Sequence, residues 1–283
     1  MSKGPFVEHN YSNWEDFLSN VFYFADDMGF VFRGQGCSDW KLQTTLDRTL
    51  ARIEIEGIEL QSTYDFLLKE FVKSIRGRSS ISKDVYSNTD EIWALGQHYG
   101  LATPLLDWTH SIYVALFFAF EDPTPSSTGY RTIWALNSSH HVKNVIDKYN
   151  SDKEDSLKFN FVDPISDENP RLLTQTGLFT KQPLSFDLES WVKEFLNNDA
   201  PYFIKMNIPD SERLKILKNL RLMNIHPSTL FPEIEGAAKY CNQTLELLGN
   251  KRKDQVRASR DELDKLLKQL TNKKIQPTQK ERG

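Results

Sequence analysis

Hydrophobic residues recur at helical spacing along the first hundred residues of the chain. Between residues 14 and 28 the apolar positions lie three to four apart, which predicts a helix that runs into a short strand at residues 30–32. A thick apolar face over residues 50–76 predicts a helical pair or one long broken helix. Residues 91–98 continue as helix, which Gly100 is expected to end.

The central part of the chain contains its most apolar segment. Residues 112–120 are apolar on every side, a pattern typical of a fully buried helix. Residues 131–136 and 201–207 have the aromatic and β-branched or alternating composition of strands. Residues 211–221 predict a further helix with Ser211 as its N-cap.

These elements favour one fold class over another. Strands are few among the helices, and residues 137–167 are too polar to assign. Regular alternation of strands and helices is absent, as is a Gly-x-Gly-x-x-Gly turn. We therefore predict an α+β fold, with a small mixed or antiparallel sheet surrounded by helices, rather than a doubly wound sheet.

The C-terminal residues have an amphipathic pattern. A helix is predicted over residues 237–248, and a second one over residues 255–270 carries leucines 263, 266, 267 and 270 on one stripe. Residues 271–283 are predicted to be disordered. The stripe has to be covered either by the body of the protein or by a partner, which is a second copy of the chain or a regulator.

Charge is distributed unevenly along the chain. The formal net charge of −4 combines a net +6 over residues 249–283 with a net −10 over residues 1–248. An acidic body argues against a broad nucleic-acid surface. The basic tail could supply a local one, or it could simply keep a helix solvated.

Length and composition set the domain organisation. The chain has 283 residues, of which 39% are hydrophobic, enough for a real core. We divide it into an N-terminal helical lead-in (1–24), a central domain (25–248) and a charged C-terminal helix with a disordered end (249–283). Two cysteines are too few for a disulfide framework. No apolar run is long enough to span a membrane, so we expect a cytoplasmic protein without a membrane partner.

Arg33 is the first candidate for a functional residue. It is expected just past the predicted strand at residues 30–32, followed by Gly34, Gln35 and Gly36. A guanidinium matches phosphate or carboxylate, and glycines let a ligand approach the backbone. The alternative is a structural arginine that bridges Asp107 or a helix C-terminus.

A second group of candidates lies in residues 97–109. His98 and Tyr99 either take part in catalysis or cap a helix. Asp107 either belongs to the site or is the N-cap of the buried helix that follows. Trp108 is predicted to lie in the core.

Three further features have weaker signals. Gln175 and Phe179 flank Gly177, and they belong either to a loop that presents an amide to a ligand or to a plain turn. The pair His140 and His141 has no third ligand in view, so no metal site is expected. Cys37 has no nearby histidine in the sequence, and we regard it as incidental.

Four blocks of the chain form a characteristic series. They are Phe32-Arg33-Gly34 with Trp40 and Arg48, residues 97–109 with 114–119, Arg171 with 175–180, and residues 230–236. In this order they resemble the FRG domain family, from about residue 25 to about residue 245, and the resemblance implies a single domain of that type. In one block the family reads Gly-Leu-Pro-Thr-Arg-Leu-Leu-Asp-Trp-Thr, whereas this chain has Ala102 and Pro104 in place of the proline and the arginine.

The layout of that family is similar to that of ADP-ribosyltransferases. The similarity implies that Arg33 contacts NAD, that residues 98–103 frame the nicotinamide and that Glu235 is the late glutamate of the site. A carboxylate there would stabilise the oxocarbenium-like state in which the nicotinamide leaves. The alternative for Glu235 is the acidic first turn of a helix. The implied catalytic residues are Arg33, His98, Tyr99 and Glu235, and the implied NAD-binding residues are Arg33, Gly34, Gln35, Thr103, Asp107, Gln175 and Phe179.

Three hypotheses about function follow. The first is an NAD-dependent ADP-ribosyltransferase-like enzyme, acting in bacterial defence or as a toxin on a nucleic-acid or protein acceptor. The second is a non-catalytic module that binds a nucleotide or a phosphorylated ligand. The third is a protein that binds or cleaves nucleic acid, with His98 as general base and the basic tail as its contact surface.

Overall fold

The computed structural model of the protein describes residues 4–25, 29–57, 59–78, 83–164, 174–196 and 200–274. Its strands are β1 (Phe6–Asn10), β2 (Phe30–Gln35), β3 (Leu105–Thr109), β4 (Tyr130–Asn137), β5 (Asn160–Val162), β6 (Gly177–Lys181) and β7 (Phe203–Pro209). Its α-helices are α1 (Trp14–Ala25), α2 (Thr45–Arg52), α3 (Glu59–Ile75), α4 (Thr89–His98), α5 (Ile112–Phe120), α6 (His140–Asn150), α7 (Leu188–Phe195), α8 (Arg213–Leu222), α9 (Pro227–Leu230) and α10 (Ile234–Lys274). Short 3-10 helices cover Lys83–Ser87, Asp155–Leu157 and Asp210–Glu212.

The seven strands form one mixed sheet, in the order β1-β7-β4-β2-β3-β6-β5. Strands β1 and β7 are parallel, and the other neighbouring pairs are antiparallel. The prediction of an α+β fold with a mixed sheet and surrounding helices is confirmed.

Helices cover both faces of the sheet. Phe30 and Phe32 of β2 pack with α1, α5 and α8 on one face, whereas Val31 packs with α6 and α7 on the other. This alternation follows from the two-residue period of a strand. A third cluster joins α2, α3 and α4 to the strands β3, β6 and β5.

The buried helix predicted from its apolar composition is α5, and the prediction is confirmed. Seven of its nine residues are buried, and it lies directly against β2. A Cβ atom on Gly34 would lie 2.6 Å from the amide nitrogen of Ala119 and even closer to the carbonyl oxygen of Ala115. The group that approaches Gly34 most closely is therefore the backbone of α5. The sequence context had indicated a ligand in that place.

Several predicted boundaries agree with the structure. Residues 50–76 form the end of α2 and the whole of α3, so the helical pair is confirmed. Gly100 has a φ of 85° and follows the last turn of α4, as expected of a glycine that ends a helix. Helix α1 ends at Ala25, and the remainder of its predicted range, residues 26–28, lies outside the described residues.

Other predictions were wrong for local reasons. Ser211 is not the N-cap of α8: it lies in a 3-10 helix, and the N-cap is Glu212, which makes no side-chain capping bond. Strand β3 was missed because four of its five residues are buried, so it has no alternating pattern. The unassigned polar stretch contains α6 and β5.

Helix α10 crosses the predicted boundary at residue 248, so the central domain and the charged tail share one continuous helix. The predicted disordered end begins at residue 271. Residues 271–274 continue the helix, and residues 275–283 lie outside the described residues.

Asp187 is the N-cap of α7. Its carboxylate accepts hydrogen bonds from the Ser190 hydroxyl (2.7 Å) and from the amides of Ser190 (3.3 Å) and Glu189 (3.1 Å). These bonds, led by that of the Ser190 hydroxyl, lower the pKa of Asp187. A lowered pKa means that the ionised cap stabilises the fold at neutral pH and that this stabilisation is lost as pH falls through the folded-state pKa.

Asp187→Ala is expected to lower the free energy of unfolding by about 1 kcal/mol at neutral pH. The difference in the free energy of unfolding between the wild-type protein and the variant should shrink as pH falls below about 4, because the Asp187 carboxylate then becomes protonated and loses its charge. Thermal unfolding of both proteins at neutral pH and below a pH of about 4 measures this difference. Glu194→Ala removes an exposed carboxylate from the same helix and is the control. A difference that stays constant with pH would contradict the role assigned to the charged cap.

Candidate functional site

The central sheet opens between β2 and β3. Strand β2 pairs with β4 at six positions and β3 pairs with β6 at five, but β2 and β3 pair only at Phe32 and Thr109. Arg33 follows Phe32 and therefore lies where the two strands separate. It belongs to the interior of β2 and not to the chain beyond the strand end, which corrects the sequence prediction.

Arg33 reaches from β2 to β3 with its side chain. Its Nη1 donates to the main-chain oxygen of Asp107 at 2.8 Å and lies 3.4 Å from Oδ2 of the same residue. The Nε atom is buried and has no hydrogen-bond partner among the described residues. The guanidinium thus holds the separated strand through one nitrogen and has donors left for another acceptor.

The electrostatic setting of Arg33 combines opposing effects. Burial lowers the pKa of its guanidinium, the charge and hydrogen bond of Asp107 oppose that effect, and the charge of Arg48 adds to it. The group remains a cation at neutral pH, as arginines in proteins do. A buried cation with a free N–H and a second guanidinium in electrostatic range is a favourable setting for an anion.

Asp107 is fixed by a chain of hydrogen bonds. Gln97 donates from Nε2 to Asp107 Oδ1 at 2.8 Å, and the fully buried Thr103 donates its hydroxyl to Gln97 Oε1. Asp107 is not an N-cap: it lies within β3, and Ser111 caps α5. The Asp107 side chain is 64% exposed. The hydrogen bond from Gln97 therefore orients the carboxylate and leaves it accessible to a ligand.

A cavity of about 360 Å³ opens in front of Arg33 and Asp107. Its walls combine aromatic rings with a few polar groups, a composition typical of small-molecule sites. The aromatic lining residues are Phe32, Trp108, Phe118, Phe179 and Phe231, and the polar ones are Arg33, Gln97, His98, Asp107, Thr109 and Gln175.

The structure brings six of the residues singled out in the sequence to this cavity. The side chain of Gln175 is also used structurally, because its Nε2 donates to the carbonyl oxygen of Leu230 at 3.1 Å. The main-chain oxygen of Gln175 accepts from the Thr109 hydroxyl at 2.7 Å, which ties this loop to β3. The six residues are Arg33, Gly34, His98, Asp107, Gln175 and Phe179.

The other four predicted site residues do not line the cavity. Gln35 is buried on β2 and accepts from Trp134 Nε1 at 2.6 Å. Thr103 donates its hydroxyl to Gln97, and Gln97 lines the cavity. Tyr99 is the C-cap of α4, is 70% exposed and packs against the edge of His98. Glu235 lies in the first turn of α10, 3.1 Å from Lys239.

Sequence reasoning did not select Gln97, Thr109, Phe118 or Phe231 as site residues, although all four line the cavity. Phe118 lies in the all-apolar helix α5, where its position gives no sign that it is only partly buried. Phe231 comes to the cavity because α9 places it against Phe118, with ring centroids 6.1 Å apart.

A larger and open cavity of about 780 Å³ lies between the chain after β2, helix α2 and helix α7. Two of its carboxylates are already used for local structure. Asp47 completes the capping box of α2 and accepts from the Ser185 amide, and Asp187 caps α7. The cations that line this cavity among the described residues are Lys41, which is exposed, and Lys205, which is paired with Glu8. Because these carboxylates and Lys205 are occupied and Lys41 is exposed, we place the candidate site at Arg33.

Cys37 lies in an unusual environment for a thiol. Burial raises its pKa, but hydrogen bonds from Ser127, Ser126, the Asp39 amide and Thr128 outweigh that effect and bring the pKa to about 6. The lowered pKa of Cys37 is therefore caused by three hydroxyls and one main-chain amide. The side chain is only 3% exposed, so the thiol does not face either cavity.

No group of three or more histidine, cysteine, aspartate or glutamate side chains is arranged to hold a metal ion in the part of the chain that the structure describes. Among the same residues, no helix combines the length and the apolar character needed to cross a membrane.

Fold and site together define the class: an α+β domain built on a mixed sheet, with an arginine-lined cavity where two strands separate. Residues 28–128 match the FRG domain family, the family that the sequence blocks resemble. The match includes Arg33, Asp107 and Phe118, whereas Phe179 and Phe231 lie beyond it. No curated protein and no solved structure matches the chain.

Proposed function

We propose that the Arg33 cavity binds a nucleotide, with NAD as the first candidate, and that the protein is an ADP-ribosyltransferase-like enzyme. One observation carries the proposal: a largely buried arginine with an unpartnered N–H faces an aromatic-walled cavity beside a carboxylate held in place from behind.

The cavity offers a complementary group for each part of such a ligand. A guanidinium donates two parallel hydrogen bonds to a phosphate oxygen pair, and among the described residues Arg33 makes hydrogen bonds through Nη1 alone. Planar heterocyclic rings pack on aromatic side chains, which Phe118, Phe179 and Phe231 supply. The volume of about 360 Å³ suits one half of a dinucleotide, with the other half directed to solvent.

The proposed reaction is transfer of ADP-ribose from NAD. The bond between C1′ of the nicotinamide ribose and the ring nitrogen breaks, and its electron pair stays with the nitrogen, so nicotinamide leaves as a neutral molecule. An oxygen or nitrogen of the acceptor donates an electron pair to C1′ and releases its proton to His98 or to water. Positive charge develops on the ribose in between, where the Asp107 carboxylate would stabilise it.

A second candidate is a binding module without chemistry of its own. It is favoured by the position of Glu235, which the similarity to ADP-ribosyltransferases makes the late glutamate but which does not line the cavity. In this alternative Asp107 only positions Arg33, and ligand binding is the whole function.

The test measures NAD affinity by calorimetry and nicotinamide release by mass spectrometry, with DNA, RNA and cell lysate as sources of acceptor. Asp107→Asn keeps the size of the side chain and one of its two acceptor oxygens but removes the charge. We expect it to leave NAD affinity largely unchanged and to slow nicotinamide release at least about a hundredfold.

Glu235→Gln is the matched control, because it removes a carboxylate outside the cavity, and it should retain nicotinamide release. Release that survives in Asp107→Asn but is lost in Glu235→Gln would show that we have assigned the wrong carboxylate. If the wild-type protein binds NAD but releases no nicotinamide, the protein is a binding module. If it does not bind NAD, both candidate functions fail for this ligand.

A further inference from the structure

We infer that helix α10 is a self-association surface, which pairs antiparallel with α10 of a second copy of the chain. The inference is independent of the Arg33 cavity. It rests on the part of α10 that the body leaves uncovered, on the spacing of the apolar residues there and on the charge sequence of the helix.

Among the described residues, the first part of α10 is the part that is docked on the body. Arg213 of α8 forms an ion pair with Glu246, and Arg221 donates to Thr244 at 2.8 Å and to the Tyr240 hydroxyl. Gln243, in the same stretch, is only 8% exposed. These contacts fix one face of the helix to the body.

The rest of the helix extends away from the body. Every described side chain between residues 251 and 269 is exposed. At 1.5 Å per residue, residues 251–274 extend for roughly 36 Å. The structure therefore does not show the tail packed back on the body, which was one alternative for its leucine stripe.

The exposed apolar residues of α10 lie on the face opposite the docked one. At about 100° per residue, Leu245 is directed nearly opposite to Gln243 and Leu247, and the later apolar positions return to the direction of Leu245. The exposed fractions are 72% for Leu245, 54% for Leu248, 68% for Val256, 56% for Leu263 and 52% for Leu266. A continuous helix keeps this stripe away from its own body.

The spacing of this stripe is self-complementary. Leu263 and Leu266 repeat the spacing of Leu245 and Leu248 after 18 residues, which is five helical turns or about 27 Å. Val256 lies close to the midpoint. When two such helices run antiparallel about this midpoint, each leucine pair meets the other pair of the second copy, and both Val256 side chains lie at the centre.

The charges favour the antiparallel arrangement over a parallel one. Residues 251–253 are all basic, whereas residues 261–264 carry three carboxylates and no cation. An antiparallel pair brings the acidic stretch of one copy within about a turn of the basic stretch of the other. A parallel pair in register instead places acidic stretch on acidic stretch and basic on basic, which is unfavourable.

The test uses the full chain, and light scattering coupled to size-exclusion chromatography measures its mass over a range of protein concentrations. We expect a dimer of twice 32.8 kDa. Leu263→Glu combined with Leu266→Glu should weaken dimerisation at least about a hundredfold, because carboxylates would be buried in an apolar interface. Lys265→Glu with Lys268→Glu adds two carboxylates to the opposite face of the same helix and should leave the dimer intact.

Cys241 reports the orientation without further substitution. It is exposed and lies on the same face of α10 as Leu245. In a parallel dimer the two Cys241 thiols would meet and form a disulfide on mild oxidation, whereas in the antiparallel dimer they lie far apart. A monomeric wild-type chain, a dimer that survives the leucine substitutions, or an efficient link through Cys241 would each overturn the inference.

Discussion

Arg33→Ala is expected to weaken NAD binding by at least about tenfold, because each hydrogen bond to a charged group contributes roughly 1.5–3 kcal/mol. The substitution removes the only guanidinium that lines the cavity in the described residues. Calorimetric titration of the wild-type and variant proteins with NAD measures the loss.

The fold should tolerate this change. Arg33 contributes to the protein mainly a bond to the Asp107 carbonyl, and the Asp107 carboxylate that loses its ion pair is 64% exposed. Arg33→Lys keeps the charge without the two-pronged shape and should fall between the wild-type protein and Arg33→Ala. Lys205→Ala, which removes a partly buried cation from the same sheet, is the control. If NAD affinity is the same in Arg33→Ala as in the wild type, Arg33 is a structural residue and the proposed function fails.

Gly34→Ala should destabilise the protein by about 3 kcal/mol or prevent its folding. The new Cβ atom would overlap the Ala115 carbonyl oxygen and would lie 2.6 Å from the Ala119 amide nitrogen. Both are backbone atoms of α5, so relief requires the buried helix to move away from the sheet. Thermal or urea unfolding of the purified variant measures the effect.

Gly36→Ala is a closely matched control, two residues further along the chain. The nearest atoms to its added Cβ are ring carbons of Trp40 at 3.6 Å, an ordinary contact distance. We expect a change of no more than about 0.5 kcal/mol. Equal stabilities of the two variants would mean that the packing of α5 on β2 is looser than the structure indicates.

The two neighbouring residues Arg33 and Gly34 show how far a sequence motif can be interpreted. The motif correctly indicates that another group lies close to the backbone at Gly34, next to the charged side chain of Arg33. It does not say that the group approaching Gly34 is a helix 80 residues later, or that Arg33 reaches through an opening in the sheet. Both facts depend on how β2 is aligned with β3 and α5, and nothing near residue 33 in the sequence encodes that alignment.

Helix α5 and strand β3 show the same contrast for secondary structure. Helix α5 was predicted with the bounds it has, because a nine-residue segment without a charged side chain and with apolar residues on every side is typical of a buried helix. Strand β3 was missed because burial on both faces removes the alternation that identifies a strand. One of the two alternatives for Asp107 was accordingly a helix cap, although the residue belongs to the strand.

The sequence by itself determined the mixed α and β class, the buried helix α5, the helical character of residues 50–76 and the candidates Arg33, His98 and Asp107. These features depend on local periodicity and on the chemistry of single side chains, and both follow directly from the order of the residues. Only the tertiary structure decided which candidates meet. It placed Phe118 and Phe231 in the cavity wall, left Glu235 outside it and joined the tail to the domain by one helix. Such contacts join residues far apart in the chain, and their geometry follows from strand register and helix packing rather than from any local pattern.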